Sequence, residues 1–160
     1  MKNPKLKTGI IIALAILAAD QLHKYLMLHT VGMIDGRVIE VTSFFNLVMV
    51  WNYGISFGMF NNGSPANAYL LSFMAVAISA FLYVWMKRTN SKWQTIALGM
   101  VIGGAIGNAI DRVIYGAVAD FLDFHYYHDH WPAFNVADIS ISVGVFLLVV
   151  ESFFDIRKNK

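Results

Sequence analysis

The chain has 160 residues, of which 58% are hydrophobic, and its mean hydropathy is +0.57. Soluble domains are typically about 45–50% apolar, so this composition excludes an ordinary soluble domain and favours a membrane protein. The chain contains no cysteine, which excludes disulfide bonds, thiolate metal sites and a cysteine nucleophile. The net charge of +2 is too small to indicate a partner, and the length predicts one domain.

Four apolar segments are long enough to cross a bilayer. They run from about 8 to 28, 66 to 86, 93 to 114 and 135 to 154. A helix needs ~20 residues to cross the ~30 Å hydrocarbon core, and in lipid the backbone must satisfy its own hydrogen bonds. The sequence therefore predicts a mainly α-helical membrane protein with four transmembrane helices.

The basic residues indicate how these helices are oriented. In a four-pass topology, most lysines and arginines fall on one side of the membrane: Lys2, Lys5, Lys7, Lys87, Arg88, Lys92, Arg157, Lys158 and Lys160. The positive-inside rule makes this side cytoplasmic. We therefore expect both termini in the cytoplasm and the remaining loops on the outer face.

The first span has some features of a secretory signal peptide, with a basic start and small residues before Asp20. Apolar residues continue to Leu28, however, which favours a retained helix. Asp20 and Lys24 lie four residues apart, a spacing that favours ion pairing on one helix face. We expect a structural pair; anchoring of the following segment or of a lipid headgroup is the alternative.

Residues 31–60 differ in character from the apolar spans. Residues 38–42 and 44–51 are rich in β-branched and aromatic side chains, and Asp35-Gly36 is a turn signal. We therefore expect a small β-sheet on the outer membrane surface. Three aromatic side chains suit the membrane interface: Trp51, Phe57 and Phe60.

The next residues, Asn52-Tyr53-Gly54-Ile55-Ser56-Phe57, fit either a plain turn or part of a site. Gly54 permits a positive φ or a close backbone approach. The Asn52 amide could donate to a substrate carbonyl. Both interpretations stay open from this feature alone.

In the third span, Gly99, Gly103 and Gly107 recur every four residues and line one helix face. Such a face allows another helix to approach closely. Packing alone explains the spacing, and we expect the glycines to bring the third helix against the fourth.

Asn108, Asp111 and Arg112 follow the glycines on the same span, at offsets that place them on one face. Beside an arginine, Asp111 is expected to be an ionised structural partner, with a catalytic role as the alternative. Arg112 can present a planar fork to a carbonyl, a carboxylate or a lipid phosphate.

Residues 115–132, after the third span, are predicted to form an aromatic loop that lies partly in the membrane interface. Several potential zinc ligands crowd there: Asp123, His125, His128, Asp129 and His130. Their spacing matches no established zinc pattern. We therefore expect no metal site and no cofactor.

Two further aspartates are expected at the outer membrane edge. Asp120 follows the third span, and Asp138 opens the fourth apolar run. Carboxylates are costly at that position and are usually functional, and a close pair can share one proton and activate a water. A proton-relaying transporter and a metallohydrolase that uses the loop histidines remain alternatives. Clustering of the polar residues at one edge argues against the transporter.

Taken together, five motifs in this order resemble the lipoprotein signal peptidases (signal peptidase II), which are bacterial intramembrane aspartic proteases. The motifs are Asp20-Gln21-Leu22-His23-Lys24, Asn52-Tyr53-Gly54-Ile55-Ser56-Phe57, Gly103-Gly104-Ala105-Ile106-Gly107-Asn108-Ala109-Ile110-Asp111-Arg112, Val118-Ala119-Asp120-Phe121 and Phe134-Asn135-Val136-Ala137-Asp138. The resemblance covers nearly the whole chain. Ala119 stands where the family more often has a valine, and no position expected to be polar departs from the pattern.

This resemblance implies an aspartic endopeptidase that forms one membrane-embedded domain, residues 1–160. Its catalytic pair falls on Asp120 and Asp138. The supporting residues carried over by motif are Asn52, Gly54, Asn108, Asp111, Arg112 and Asn135, with Asp20 and Lys24 further out.

The implied substrate is a prolipoprotein whose cysteine already carries a diacylglyceryl group. Cleavage just before that cysteine, at the extracytoplasmic face of the bacterial cytoplasmic membrane, would release the signal peptide. Membrane lipid and the cyclic peptide antibiotics that block the family are further implied partners. We expect a monomer with no nucleic-acid partner.

Overall fold

A computed structural model describes residues 4–54 and 64–158 of the chain. Within these ranges, four long helices are apolar enough to cross a membrane. They are α1 (Pro4–Tyr25), which a π-helical turn continues over Leu26–Thr30, α2 (Pro65–Arg88), α3 (Lys92–Tyr115) and α4 (Val136–Lys158). The predicted four-span, mainly α-helical membrane fold is confirmed.

Helix α3 lies at the centre of the bundle and packs against α1, α2 and α4. Within its apolar window 61% of the residues are buried, whereas the corresponding share in the other three helices is at most 28%. Large apolar side chains on the outer helices are exposed, among them Leu14, Phe73 and Phe146. In a membrane these side chains meet lipid, so the exposed apolar surface is compatible with the fold.

The glycine stripe of α3 faces α1, and the expectation that it packs against α4 is wrong. A Cβ added at Gly99 would meet the backbone oxygen of Gly9 at 2.5 Å, and one at Gly103 would meet that of Ala13 at 2.6 Å. Helix α4 instead approaches α3 at Gly104 and Gly144, on a different face. The spacing predicts a close approach, but it does not identify the neighbouring helix.

A four-stranded antiparallel sheet lies at one end of the bundle, in the order β1 (Val38–Thr42), β2 (Phe45–Asn52), β3 (Val118–Tyr126) and β4 (Asp129–His130). The sheet predicted within residues 31–60 is confirmed over β1 and β2. Part of that segment, together with Phe57, Phe60 and the end of the Asn52–Phe57 motif, lies outside the described residues.

Residues 115–132 contribute two strands to the same sheet, and the prediction that they form a loop is wrong over most of their length. Gly116 ends α3 with φ 76°, in the left-handed conformation that glycine adopts at helix ends. The chain then enters β3, whose backbone pairs with β2, so the facing backbone groups of the two strands bond to each other. Loop character remains at the exposed turn residues Tyr127 and His128 and around Trp131.

Candidate active site

Asp120 and Asp138 lie where the sheet meets the ends of the central helices. Asp120 is near the start of β3 and is 2% exposed, and Asp138 is in the first turn of α4 and is partly buried. The reversal at Gly116 returns the chain from α3 to the level at which α4 begins. Strand β3 thereby brings Asp120 to the start of the helix that carries Asp138.

Asn135 fixes the orientation of Asp138. The Asp138 backbone N–H donates to Asn135 Oδ1 at 3.0 Å, and the Asn135 backbone N–H donates to Asp138 Oδ2 at 3.2 Å. This reciprocal arrangement is a capping box at the start of α4. Because Asp138 belongs to the helix cap, its side chain has little freedom to rotate.

The same asparagine also holds Asp120, so that one side chain contacts both acids. Asn135 Nδ2 donates to Asp120 Oδ1 at 2.7 Å and to Asn108 Oδ1 at 3.2 Å. Asn108 Nδ2 donates to Asp138 Oδ1 at 2.8 Å, and Asn52 Nδ2 donates to Asp120 Oδ2 at 3.1 Å. Each carboxylate oxygen therefore has one donor and retains a lone pair that could accept from water or a substrate.

The environment of Asp120 favours its protonated form. Burial first, and then the nearby charge of Asp138, raise the pKa of Asp120 to about 7, against the opposing effect of the hydrogen bonds from Asn52 and Asn135. A carboxyl group with such a pKa can hold a proton near neutral pH. The two acids together can therefore hold one proton while the other carboxylate is ionised.

A buried ion cluster lies behind the two acids. Lys24 Nζ contacts Asp20 Oδ2 at 2.9 Å and Asp111 Oδ2 at 2.7 Å, and it donates to Asn108 Oδ1 at 3.1 Å. All three ammonium protons thus have an acceptor. The expected pair of Asp20 and Lys24 is present, and the cluster positions Asn108.

Each acid of this cluster also holds the backbone just before one of the candidate catalytic residues. Asp20 Oδ1 accepts from the Ala137 N–H at 3.0 Å, one residue before Asp138. Asp111 Oδ2 accepts from the Ala119 N–H at 3.2 Å, one residue before Asp120. The cluster therefore fixes both backbone segments relative to each other.

Asp111 lies in this cluster as a structural partner, and the cation that it contacts is Lys24 and not the neighbouring Arg112. Consecutive helical residues do not face each other, so Asp111 and Arg112 point in different directions. Arg112 donates from Nη2 to the Gly54 carbonyl at 2.6 Å and from Nη1 to the Asn108 carbonyl at 3.3 Å. Gly54 N–H in turn donates to Asn52 Oδ1 at 3.1 Å, which orients the asparagine toward Asp120.

All the supporting residues that the motifs single out belong to one hydrogen-bonded network with the two acids: Asp20, Lys24, Asn52, Gly54, Asn108, Asp111, Arg112 and Asn135. Asn67 lies outside the five motifs, yet its Nδ2 donates to the Tyr53 carbonyl at 3.2 Å and so connects α2 to this network. A polar residue in the first turn of an apolar helix was the signal available.

The loop histidines, which are candidate metal ligands by residue type, have other neighbours in the structure. His130 Nδ1 lies 2.9 Å from Asp123 Oδ2, and the His125 ring stacks on the His130 ring at 5.0 Å. His128 is exposed on the turn between β3 and β4. Asp123 and His130 lie along the sheet from the two acids.

Comparison with known proteins identifies the family. The family described as signal peptidase (SPase) II matches residues 12–154. The chain belongs to the signal peptidase II family. A lipoprotein signal peptidase of Rhodopseudomonas palustris (strain TIE-1) is 48% identical over 151 residues, which are 91% of this chain and 92% of that protein. One from Vibrio parahaemolyticus (serotype O3:K6, strain RIMD 2210633) is 38% identical over 144 residues, covering 89% and 85%.

Solved structures agree with the fold. A bacterial membrane enzyme determined by the in meso method at 2.3 Å matches with a TM-score of 0.79 and 28% identity, covering 96% of this chain and 92% of that one. A second, at 1.9 Å, matches with a TM-score of 0.72 and 29% identity, covering 91% and 92%. This member of the signal peptidase II family is therefore a multi-pass membrane protease that removes signal peptides, and a transporter is not favoured.

Proposed function

We propose that this signal peptidase is an aspartic endopeptidase that acts on diacylglyceryl-modified prolipoproteins and cuts just before the lipidated cysteine. The proposal depends on one observation: Asn135 donates hydrogen bonds to both Asp120 and Asp138, and the pKa of Asp120 is raised to about 7. The names of the relatives support the substrate class. In the described site, no other pair of acids accepts hydrogen bonds from one helix-capping asparagine.

The pair can perform hydrolysis by sharing one proton. The ionised carboxylate removes a proton from water, and the water oxygen attacks the scissile carbonyl carbon. The protonated carboxyl group hydrogen-bonds the carbonyl oxygen as negative charge develops there. When the tetrahedral intermediate collapses, the C–N bond breaks and a proton passes to the leaving amine of the cysteine. The pair titrates as a unit, so both assignments of the two roles are compatible with the chemistry.

Several contacts support a site at the extracytoplasmic face with both termini in the cytoplasm. Lys5 Nζ donates to the Asn90 carbonyl, and Ser91 Oγ donates to Glu151, so the beginning of α1, the α2–α3 connection and the end of α4 lie together. The sheet and the two acids lie at the opposite helix ends. Because the basic residues cluster at the first end, the positive-inside rule assigns it to the cytoplasm.

This position suits a lipid-bearing substrate in the bacterial cytoplasmic membrane. The signal peptide is apolar and can approach the acids sideways from the bilayer, while the lipidated cysteine remains at the membrane surface. We propose one membrane-embedded catalytic domain, residues 1–160, that acts as a monomer and is blocked by the cyclic peptide antibiotics that inhibit the family.

The proposal is tested by separate Asp120→Asn and Asp138→Asn substitutions. Each removes one ionisable partner, so cleavage of a diacylglyceryl precursor in detergent should fall by about a thousandfold or more. Asp129→Asn, on the exposed strand β4, is the matched control and should keep wild-type activity. Thermal unfolding of each purified variant shows whether it is folded, and robust cleavage by either dyad variant would refute the assignment.

The metallohydrolase alternative makes an opposite prediction in the same assay. If the loop histidines held a catalytic metal, a chelator would abolish cleavage and zinc would restore it, and His128→Ala would lose activity. An aspartic dyad predicts that the chelator has no effect and that His128→Ala is nearly as active as the wild type.

A further inference from the structure

A cavity of about 430 Å³ lies on the sheet, beyond the two catalytic acids. Its walls are mainly apolar and its polar lining is confined to three residues. The walls consist of Val38, Val48, Val50, Trp131, Pro132 and Ala133, and the polar lining consists of Asn46, Asp123 and His130. The catalytic network uses none of these side chains.

The polar residues form a fixed group with one unused acceptor. Asn46 Nδ2 donates to Asp123 Oδ2 at 3.0 Å, and His130 Nδ1 lies within 3.0 Å of both Asp123 carboxylate oxygens. The Asn46 side chain is therefore held in one orientation. It is 6% exposed, and its Oδ1 has no donor among the residues that the structure describes. Buried amide oxygens are nearly always hydrogen-bonded, so this one is a candidate acceptor for an N–H group that approaches the Asn46 side chain.

The cavity lies beside the catalytic site along the sheet. Val50, which lines the cavity, is the register partner of Asp120, and Asn46 is the partner of Asp123. Asp123 follows Asp120 by three residues on β3, so the polar group lies roughly 10 Å from the catalytic acid at about 3.3 Å per residue. An extended peptide covers that distance in about three residues.

We propose that this cavity binds the mature side of the substrate, that is, the residues that follow the lipidated cysteine, in an extended conformation with one backbone N–H donated to Asn46 Oδ1. The inference rests on the proposed function. The signal-peptide side is apolar and belongs among the helices, so the sheet remains for the mature side. The apolar walls would accept small side chains, and the buried acceptor distinguishes a peptide from an acyl chain, which has no donor.

A filling substitution tests the position of the cavity. Val38→Trp would occupy it from the exposed edge strand β1, and Val41→Trp is the matched control, because both valines are about half exposed on β1 but only Val38 lines the cavity. Two lipidated precursors are compared, one with six residues after the cysteine and one with a single residue. For the long precursor, Val38→Trp should lower kcat/KM by about tenfold, mainly through KM. For the short precursor, both variants should match the wild type.

Backbone N-methylation tests the acceptor itself. Long precursors methylated singly at the second, third or fourth residue after the cysteine lack one N–H each. Methylation at one of these positions should lower kcat/KM of the wild type about fivefold, which is the magnitude of a lost hydrogen bond. The same methylation should cause no further loss in Asn46→Ala, because that variant already lacks the acceptor. Asn46→Ala should itself slow only the long precursor.

Each remaining outcome counts against the proposal. Equal slowing of the long and short precursors by Val38→Trp would assign the cavity to the lipid group, and no slowing of either would leave it outside the substrate path. Methylation losses that persist unchanged in Asn46→Ala would refute the hydrogen bond. In all these cases wild-type cleavage still supports the proposed function. Failure of the wild type to cleave either precursor would overturn both the proposed function and the inference about the cavity.

Discussion

At the scale of single residues, the site depends on amide side chains placed between charged groups. Asn135 caps α4, orients Asp138 and donates to Asp120, so one residue relates the two acids. Asn108 performs the complementary task, because it accepts from Lys24 and donates to Asp138. An amide can accept and donate at once without adding a charge, which allows two acids to remain close beside a buried lysine.

The pH dependence of cleavage tests the environment of Asp120. In the proposed mechanism, cleavage requires one proton on the pair. This proton is lost as the pH rises through the pKa of about 7, so kcat/KM should fall on the alkaline side near that pH. The hydrogen bond from Asn52 lowers the pKa of Asp120. In Asn52→Ala the pKa should therefore rise, and the alkaline limb should move to higher pH, with kcat/KM reduced by about five- to tenfold.

The control for this experiment is Asn90→Ala, an exposed residue at the opposite helix ends, which should leave the pH profile unchanged. An alkaline limb that stays in place or moves to lower pH in Asn52→Ala would contradict the role of this hydrogen bond.

At the scale of secondary-structure elements, the approach of α1 to α3 holds the ion cluster together. Gly99 and Gly103 bring the two backbones into contact, and Gly107 makes room for the Asp20 carboxylate, since a Cβ there would meet Asp20 Oδ2 at 2.5 Å. Asp20 and Lys24 reach the site only because α1 lies this close. The small residues of α3 thus serve the geometry of the candidate site through packing.

Gly99→Ala tests this packing, because the substitution should change stability in opposite directions depending on whether α1 contacts α3 at this position. In an exposed helix the change would stabilise by about 1 kcal/mol. Here the added methyl group would meet the Gly9 backbone at 2.5 Å, and overpacking typically costs about 1–3 kcal/mol. We therefore expect a lower Tm for the purified protein in detergent and weaker cleavage. A higher Tm would show that α1 and α3 are not in close contact at this position.

At the scale of the whole molecule, the two ends of the bundle differ in chemistry. One end carries the basic residues and the contacts of Lys5 and Ser91, and the other carries the sheet and the two acids. The central helix α3 connects them and is largely buried. This division places the candidate site at one end of the bundle, with lipid-facing apolar helices between the two ends.

Single-cysteine labelling tests the orientation, since the chain has no cysteine of its own. A membrane-impermeant maleimide applied to intact spheroplasts should label Tyr127→Cys, which lies on the exposed turn of the sheet. Arg88→Cys, exposed at the other end, should react only after permeabilisation. The reverse pattern would place the sheet and the acids in the cytoplasm and would exclude the proposed position of the active site.

The sequence by itself determined the four spans, because a bilayer demands long apolar helices whatever their neighbours. It also indicated the residues of the site through ordered motifs. Only the tertiary structure decided that α1 is the helix beside Gly99, that Lys24 is the cation beside Asp111, and that residues 118–126 form a strand. Such contacts join segments far apart in the chain. A local sequence pattern indicates that a residue needs a contact partner, but it does not identify that partner.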